Sequence, residues 1–224
     1  MEVLETFRHE FKYVISYEEM LKLREKFDKL LNIDRSFDGY MIRSLYFDSI
    51  DDEDYYAKLN GDMNRKKIRL RTYEPNPKLV KLEIKAKYDI HQLKKSLLIS
   101  KEMANELINE NYEALTTIDS PVAQEIYTIL KKGVYKPKVI IEYKRIAYIT
   151  ATTTRITFDY EIRSSDDVSR FFCDDINYYD LITKKDVVLE VKFDRFLEPY
   201  ISNILSSYAS RNQSVSKYIM GRNV

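Results

Sequence analysis

The feature that most constrains the fold is a repeated alternation of charged and apolar side chains. Successive side chains of a β-strand point to opposite faces of a sheet, so such alternation predicts strands with one charged and one apolar face. It recurs in five segments, which lie at residues 7–13, 67–71, 82–87, 155–159 and 189–194. Residues 139–148 alternate less cleanly, because Glu142 and Lys144 share one face while Tyr143 and Arg145 share the other. The pattern predicts an antiparallel sheet packed on helices by its apolar face.

The charged faces are unusual because nearly all of their polar positions hold full charges, although Lys, Glu and Asp are generally depleted in strands. Counted with Arg145, these faces hold ten cations and five anions, the anions being Glu10, Glu83, Asp159, Glu190 and Asp194. A solvent-facing sheet explains any one of these strands taken alone. Like charges on neighbouring strands repel each other, however, so the set as a whole indicates a bound anion. Converging Arg and Lys side chains suit a run of phosphates, and interspersed carboxylates suit Mg²⁺ or Mn²⁺.

The composition excludes several common classes of protein. Four glycines cannot supply a GxGxxG turn or a GxxxxGK[ST] phosphate loop, and one cysteine with two histidines supplies neither a disulfide framework nor a Cys/His zinc site. The formal net charge of +1 gives no overall field for nucleic acid, so no nucleic-acid partner is expected. No apolar run approaches the ~20 residues of a membrane span, and the amino end lacks the features of a signal peptide. We therefore expect a cytoplasmic chain without a membrane segment of its own.

Helical signals are few and lie between the strands. Ser16 and Glu19 form a capping box ahead of an apolar stripe, and Ser120 with Pro121 marks a second helix start. The predicted helices cover residues 17–31, 101–109 and 121–132, followed from residue 199 onward by two pieces that break near residues 211–213. No linker or repeat interrupts the 224 residues, so a single domain over residues 1–224 is predicted.

Three further features are interpreted as structural. The acidic run at residues 48–54 lacks the glycine and the spacing of a calcium loop, so we interpret it as a solvated turn with Asp48 at the end of a strand. His9 and His91 have no partner at ligand spacing, which argues against a metal ligand or a general base. Cys173 has no basic neighbour to activate it and is expected to be a packing residue.

Eight ordered segments of the chain resemble a known family. They are KYVIS from Lys12, RSLYFDS from Arg43, KIRLR from Lys67, KLEIKAK from Lys81, EYKRIAY from Glu142, RITFDYEIR from Arg155, VLEVKFD from Val188 and SVSKYIMG from Ser214. In this order they resemble the catalytic domain of the vacuolar transporter chaperone polyphosphate polymerases, which belongs to the triphosphate tunnel metalloenzymes. The resemblance covers practically the whole chain. It implies an α+β fold with an antiparallel eight-stranded β-barrel, flanking helices and a lumen that binds triphosphate or polyphosphate.

Residue by residue, the resemblance implies a set of catalytic and phosphate-binding cations together with one metal ligand. The metal carboxylate would be Glu190, and the cations would be Lys12, Arg69, Arg71, Lys85, Arg145, Arg155, Lys192 and Lys217. The family's Tyr-x-Arg pattern places Tyr143 and Arg145 in the lumen and leaves Glu142 and Lys144 outside it. We further predict that Arg69 and Arg71 point into the closed barrel and face Lys85 across it.

The sequence departs from the family pattern at two places. The ExExK signature of the hydrolytic and cyclase relatives is reduced to Glu10 and Lys12, which favours the polymerase branch and leaves fewer metal carboxylates. The basic residues that follow the strand at 81–87 in the family have only Lys94 and Lys95 as poorly aligned counterparts.

The activity implied by the resemblance is transfer of the γ-phosphoryl group of ATP onto a growing inorganic polyphosphate chain, with Mn²⁺ or Mg²⁺ as cofactor. ATP and inorganic polyphosphate are the expected partners, and export of the product would require a separate membrane partner. Two alternatives stay open. One is a triphosphatase of the same fold, in which water replaces the acceptor phosphate, and the other is a polyphosphate-binding module without turnover.

Overall fold

A computed structural model describes residues 8–89 and 91–223 of the chain. The side chains of Arg8, His91 and Gln92 lie outside this description. The predictions about a targeting segment at the amino end and about the His91 side chain therefore concern parts that the structure does not describe.

Within the described residues, ten strands form one antiparallel sheet. They are β1 (Arg8–Ser16), β2 (Asn32–Asp34), β3 (Tyr40–Asp48), β4 (Arg65–Thr72), β5 (Leu79–Tyr88), β6 (His91–Ser100), β7 (Lys136–Ile149), β8 (Arg155–Ser165), β9 (Tyr179–Asp180) and β10 (Asp186–Asp194). Eight of them follow one path in the order β1, β10, β8, β7, β3, β4, β5, β6, while β2 adds to β7 and β9 to β8. The predicted α+β fold, with eight antiparallel strands and flanking helices, is confirmed.

Strand pairing does not close this path into a barrel. Within residues 8–89 and 91–223, no ladder joins β6 to β1. The edge of β1 that faces away from β10 is instead used by a segment near residue 212. The backbone N–H of Lys12 donates to Asn212 Oδ1 at 3.1 Å, and the N–H of Gln213 donates to the Lys12 carbonyl at 2.9 Å.

In the part of the chain that the structure describes, six α-helices lie between or after the strands. They are α1 (Tyr17–Leu30), α2 (Glu53–Leu59), α3 (Lys101–Ile108), α4 (Pro121–Lys132), α5 (Pro199–Leu205) and α6 (Lys217–Arg222). The Ser16 hydroxyl and the Glu19 carboxylate form the predicted capping box at the start of α1. The predicted break near the carboxyl end is also present, because a 3-10 helix at Ser206–Arg211 precedes the extended residues before α6. None of the described helices is both long and apolar enough to span a membrane.

The apolar face of the sheet packs against helices in two clusters. The half around β3, β4, β5 and β6 is covered by α3 and α4, with Ile68, Leu82 and Ile126 fully buried between them. The half around β1, β10, β8 and β7 is covered by α1 and α5, with Phe27 and Phe158 at its centre. Cys173 packs against the first cluster, as predicted. The opposite, concave face of the sheet carries the charged side chains and a third apolar cluster, in which Ile141 and Ile162 pack against Tyr218 of α6.

The acidic run at residues 48–54 is only in part the solvated turn that the sequence suggested, because Asp51 and Glu53 are exposed but Asp48 and Asp54 are buried. Asp48 ends β3 as predicted and accepts the backbone N–H groups of Ser49, Asp54 and Tyr55. The last two donors lie in the first turn of α2, so the carboxylate satisfies free donors of a helix start. Asp54 is buried as well, and its burial raises its pKa to about 6 despite the nearby Lys66 ammonium. The run was misread because a buried carboxylate that caps a helix has the same composition as an exposed turn.

Candidate functional site

A cavity of about 590 Å³ lies on the concave face of the sheet. Among the described residues, its lining contains twelve Lys and Arg side chains and two carboxylates, Glu10 and Glu190. The cations come from five strands and from helices α2 and α6; they are Lys12, Lys58, Arg65, Lys66, Lys67, Arg69, Arg71, Lys85, Lys87, Arg145, Lys192 and Lys217. The positive charge is thus gathered in one place in a chain that is nearly neutral overall.

The pairing of β4 with β5 places a double row of charges along the cavity. Arg65 lies beside Lys87, Lys67 beside Lys85, and Arg69 beside Glu83. Arg69 and Arg71 both line the cavity as predicted, but the expectation that Lys85 faces them from across the lumen is wrong. Lys85 lies on the neighbouring strand, because β4 and β5 form a hairpin, and residues on one face of a hairpin are side by side.

Glu83 holds the arginine end of this row in place. Its carboxylate binds Arg69 at 2.7 Å and Lys94 at 2.6 Å, with Arg71 at 3.9 Å, and its side chain is almost completely buried. Burial alone would raise the pKa of Glu83, but Arg69 and Arg71 lower it to about 2. Lys94 lies opposite Lys85 on β6 and faces the same side of the sheet, whereas Lys95 faces outward and binds Glu125 of α4. Lys94 is therefore the residue that extends the cationic face onto β6.

Tyr46 on β3 and Lys67 on β4 share one wall of the cavity. Arg69 donates to the Tyr46 hydroxyl at 3.1 Å. Burial raises the pKa of Tyr46, but Arg69, Arg71 and Lys67 outweigh this effect and lower it to about 8. Burial also lowers the pKa of Lys67 to about 8, with only partial compensation from Tyr46. Both groups therefore titrate at a pH where neither would titrate in water.

Two carboxylates and two lysines meet where β1 pairs with β10. Lys12 lies opposite Glu190, and Glu10 lies opposite Lys192. Lys12 Nζ is 2.6 Å from Glu10 and 3.8 Å from Glu190, and Lys192 Nζ is 2.8 Å from Glu190. Lys12 Nζ thus lies between the two carboxylates. Burial opposes ionisation of Glu190, but Lys192, Glu10, Lys12 and Arg145 together hold its pKa well below the ordinary range.

Asp159 on β8 ties two predicted cations together beneath the cavity. It is fully buried, accepts Arg145 through both carboxylate oxygens at 2.6 and 2.7 Å, and accepts Lys217 Nζ at 2.6 Å. Tyr143 and Arg145 line the cavity, so the predicted assignment of this face of β7 is confirmed. Lys217 comes from α6, which no strand pattern could have placed here.

The remaining predicted cation, Arg155, does not line the cavity in this structure. Its guanidinium binds Asp34 of β2 at 2.6 Å and the Tyr40 hydroxyl at 3.2 Å. It lies opposite Lys192 in the pairing of β8 with β10, just beyond the end of the lining. A phosphate-binding role for Arg155 stays a prediction.

Five residues that precede α6 form part of the lining and were missed from the sequence. This segment, residues 212–216, accepts three lysine ammonium groups: Lys12 binds the Val215 carbonyl at 3.2 Å, Lys58 binds Ser214 Oγ at 3.2 Å and Lys67 binds Ser216 Oγ at 3.1 Å. Its extended polar residues carry no periodic signal. Lys58, Arg65 and Lys66 were missed for a similar reason, since Lys58 lies on α2 and the other two begin β4 just before its alternating residues.

The two carboxylates of the cavity suit only a metal site that is completed by ligands from outside the protein. In the described parts of the chain, no group of three or more His, Cys, Asp or Glu side chains could hold a metal ion. Glu10 and Glu190 nevertheless lie next to each other in the cavity, among the cations that line it. Mg²⁺ and similar hard cations are commonly held by one or two carboxylates, with water and substrate phosphates as the other ligands. The two glutamates therefore fit a divalent cation that is bound together with a phosphate substrate.

Comparison with known proteins agrees with this geometry. The model of the VTC domain family matches residues 7–224. The chain belongs to the VTC domain family. Among curated protein sequences, no significant match to this VTC domain is found.

Solved structures resemble this VTC domain over nearly its full length. A Hippeastrum protein, described as an adenylyl cyclase with a dominant triphosphatase activity, superposes with a TM-score of 0.60 at 11% identity, covering 98% of this chain and 96% of that one. A Bacillus halodurans protein described as an adenylate cyclase gives a TM-score of 0.57 at 14% identity and covers 96% of both chains. At these identities the likeness shows the fold alone. Together with the family match, it confirms the triphosphate tunnel fold of this VTC domain.

Proposed function

We propose that this VTC domain is a polyphosphate polymerase that transfers the γ-phosphoryl group of ATP onto inorganic polyphosphate. The observation that carries the proposal is the gathering of twelve cations and two carboxylates around one cavity in a nearly neutral chain. Phosphoryl transfer needs little covalent chemistry from a protein, because positioning and charge stabilisation supply most of the catalysis. The proposal includes a single domain and a cytoplasmic location, with a separate membrane partner if the product is exported.

In the proposed reaction, a terminal oxygen of the polyphosphate chain attacks the γ-phosphorus of ATP, and the bond from that phosphorus to the β–γ bridging oxygen breaks to release ADP. Arg69, Arg71 and Lys85 hold phosphate oxygens from one wall, while Arg145 and Lys217 hold them from the other. A divalent cation such as Mg²⁺ or Mn²⁺, held by Glu190 and Glu10, would neutralise charge on the transferred group. The lysines beside these glutamates then pair with phosphate oxygens.

A second candidate activity is hydrolysis of triphosphates, which is favoured by the dominant triphosphatase activity described for the Hippeastrum protein. Only the acceptor differs, since water replaces the chain oxygen. The reduced ExExK signature, of which Glu10 and Lys12 remain, favours the polymerase.

Incubation of the purified chain with γ-labelled ATP and Mn²⁺, followed by gel and thin-layer analysis, tests the proposal. We expect labelled chains of increasing length together with ADP. Orthophosphate as the sole labelled product would establish the triphosphatase instead. Tight polyphosphate binding without ADP release under either Mn²⁺ or Mg²⁺ would leave only a binding module.

A further inference from the structure

An accessible stack of aromatic and guanidinium groups lies next to one end of the cavity, just outside its lining. Tyr40 begins β3 and Tyr73 directly follows β4, and their ring centroids are 6.1 Å apart. The Arg35 guanidinium lies over both rings, at 5.0 Å from the Tyr40 centroid and 4.2 Å from the Tyr73 centroid. Arg35 is exposed and both tyrosines are half-buried. We refer to these three residues as the Arg35 stack.

The Arg35 stack continues directly from the arginines of the cavity. Tyr40 lies opposite Arg145 in the pairing of β3 with β7, and Tyr73 lies two residues beyond Arg71. Burial raises the pKa of Tyr73, but Arg71 and Lys81 together with Arg35 lower it, which shows how close the ring lies to these cations. A ligand whose phosphates bind Arg71 and Arg145 therefore has its next chemical group at the Arg35 stack.

The opposite end of the cavity is lined by cationic side chains. There Arg65 lies beside Lys87 at the start of β4 and the end of β5, and Lys58 of α2 also contributes to the lining. These cations suit a further run of phosphates, whereas the stacked tyrosine and guanidinium groups at the other end suit a flat aromatic ring. The two ends of the cavity thus differ in the same way as the two ends of a nucleoside triphosphate.

We propose that the Arg35 stack binds the nucleoside end of a nucleoside triphosphate whose phosphates extend into the cavity. The inference rests on the proposed function in taking ATP as the substrate. The purine stacks against Arg35 and Tyr73, and the γ-phosphate points toward Lys67. The direction of the substrate follows, because the growing polyphosphate must then lie toward Arg65 and Lys87.

Titration calorimetry in EDTA, with ATP and with inorganic tripolyphosphate, tests this inference without turnover. The variants are Tyr73→Leu, which keeps apolar bulk, and Arg35→Lys, which keeps the charge but removes the planar group. We expect each to weaken ATP binding about fivefold or more, the scale of base stacking, and to leave tripolyphosphate binding within about twofold of the wild type. Phe37→Ala is the matched control, because Phe37 belongs to the same turn but is stacked on Arg24 at 4.9 Å.

Two results would overturn the inference. One is unchanged ATP affinity in both variants, and the other is an equal loss for ATP and tripolyphosphate, which would make the Arg35 stack part of the phosphate site. Because the titrations need no phosphoryl transfer, they separate this inference from the proposed activity, which the product analysis of the wild type tests on its own.

Discussion

Arg69 and Arg71 lie two residues apart on β4, yet the structure gives them different surroundings. Arg69 binds the buried Glu83 and the Tyr46 hydroxyl, whereas Arg71 binds Ser44 at 3.2 Å. We expect either change to Ala to cost phosphate binding about 1.5–3 kcal/mol, the scale of charge-assisted hydrogen bonds. Arg69→Ala should also lower the free energy of unfolding, and by more than Arg71→Ala, because Arg69 lies 2.7 Å from the buried Glu83 carboxylate and Arg71 lies 3.9 Å from it. Calorimetry with tripolyphosphate and urea unfolding measure the two effects.

Equal unfolding free energies for the two variants would show that Glu83 is sufficiently compensated by Lys94.

Glu190 is the residue on which metal dependence should rest. Glu190→Gln keeps its size and removes its charge, so Mn²⁺ affinity and turnover should be lost together. Tripolyphosphate binding without metal should survive or tighten, because one repulsive charge has gone while Lys12, Lys192 and Arg145 remain. Electron paramagnetic resonance of Mn²⁺ gives the affinity directly. A lower melting temperature with normal metal-dependent activity would assign Glu190 to structure alone.

The unusual titrations of Lys67 and Tyr46 predict a pH dependence. With a pKa of about 8, Lys67 loses its charge and Tyr46 gains one as the pH rises through 8, so tripolyphosphate affinity should fall between pH 7 and 9. Both folded pKa values lie below the ordinary ones, so the unfolded chain binds more protons above pH 8, and the stability contributed by these two groups rises with pH there. Affinity and melting temperature, measured across this range, check both signs.

Lys67→Arg and Tyr46→Phe are the matched variants for this test. Each removes one of the two titrations while keeping the size of the side chain close to the original. The decline in affinity should shrink in each single variant and shrink further in the double variant. If the wild-type decline persists unchanged in the double variant, other groups are responsible for it.

At the scale of elements, α6 is attached to the sheet by a buried carboxylate. Asp159→Asn leaves Arg145 and Lys217 without their counter-charge, so the anion-free protein should lose about 3 kcal/mol of stability, the scale of breaking a buried ion pair. A bound anion can replace that counter-charge. Tripolyphosphate should therefore raise the melting temperature of Asp159→Asn more than that of the wild type, as thermal denaturation with and without the anion would show.

Glu142→Gln is the control for Asp159→Asn. Glu142 is also a buried carboxylate, and it binds Arg43, Arg163 and the Tyr178 hydroxyl on the other face of β7. The control should lose comparable stability but gain no extra stabilisation from tripolyphosphate. Similar responses in the two variants would refute the positioning role of Asp159.

The packing of α6 against the sheet also depends on the close approach of Gly221 to Ile141. A Cβ atom there would lie 2.2 Å from Ile141 Cδ1, and Ile141 is fully buried. Gly221→Ala should cost about 1–3 kcal/mol through overpacking and should weaken tripolyphosphate binding by displacing Lys217. The second change Ile141→Val removes the clashing methyl group, so the double variant should recover both properties in calorimetry and thermal unfolding. Failure to recover would place the effect of Gly221 in the backbone of α6.

Across the whole molecule, features that repeat along the sequence were predicted correctly, whereas features that occur only once were missed. Alternation in strands such as Lys67–Ile68–Arg69 correctly identified the cationic face, because one orientation fixes every second side chain. The family pattern correctly placed Arg145, where alternation left both faces open. Strand order and a single turn determine the position of Arg155 relative to the cavity, the neighbour of Lys85 and the burial of Asp48. No local period in the sequence encodes strand order or a single turn.

The attachment of residues 212–213 to the edge of β1 has a consequence for how the protein is made. During synthesis β1 emerges early, yet its partners are β10, nearly two hundred residues later, and then the segment at Asn212. Contacts of such long sequence separation form late in folding and slow it. A nascent chain can therefore assemble β3, β4, β5 and β6 with α3 and α4 while β1 is still unpaired. Lys12 enters the cavity only after β10 and α6 have left the ribosome, so the phosphate site is the last part of the molecule to form.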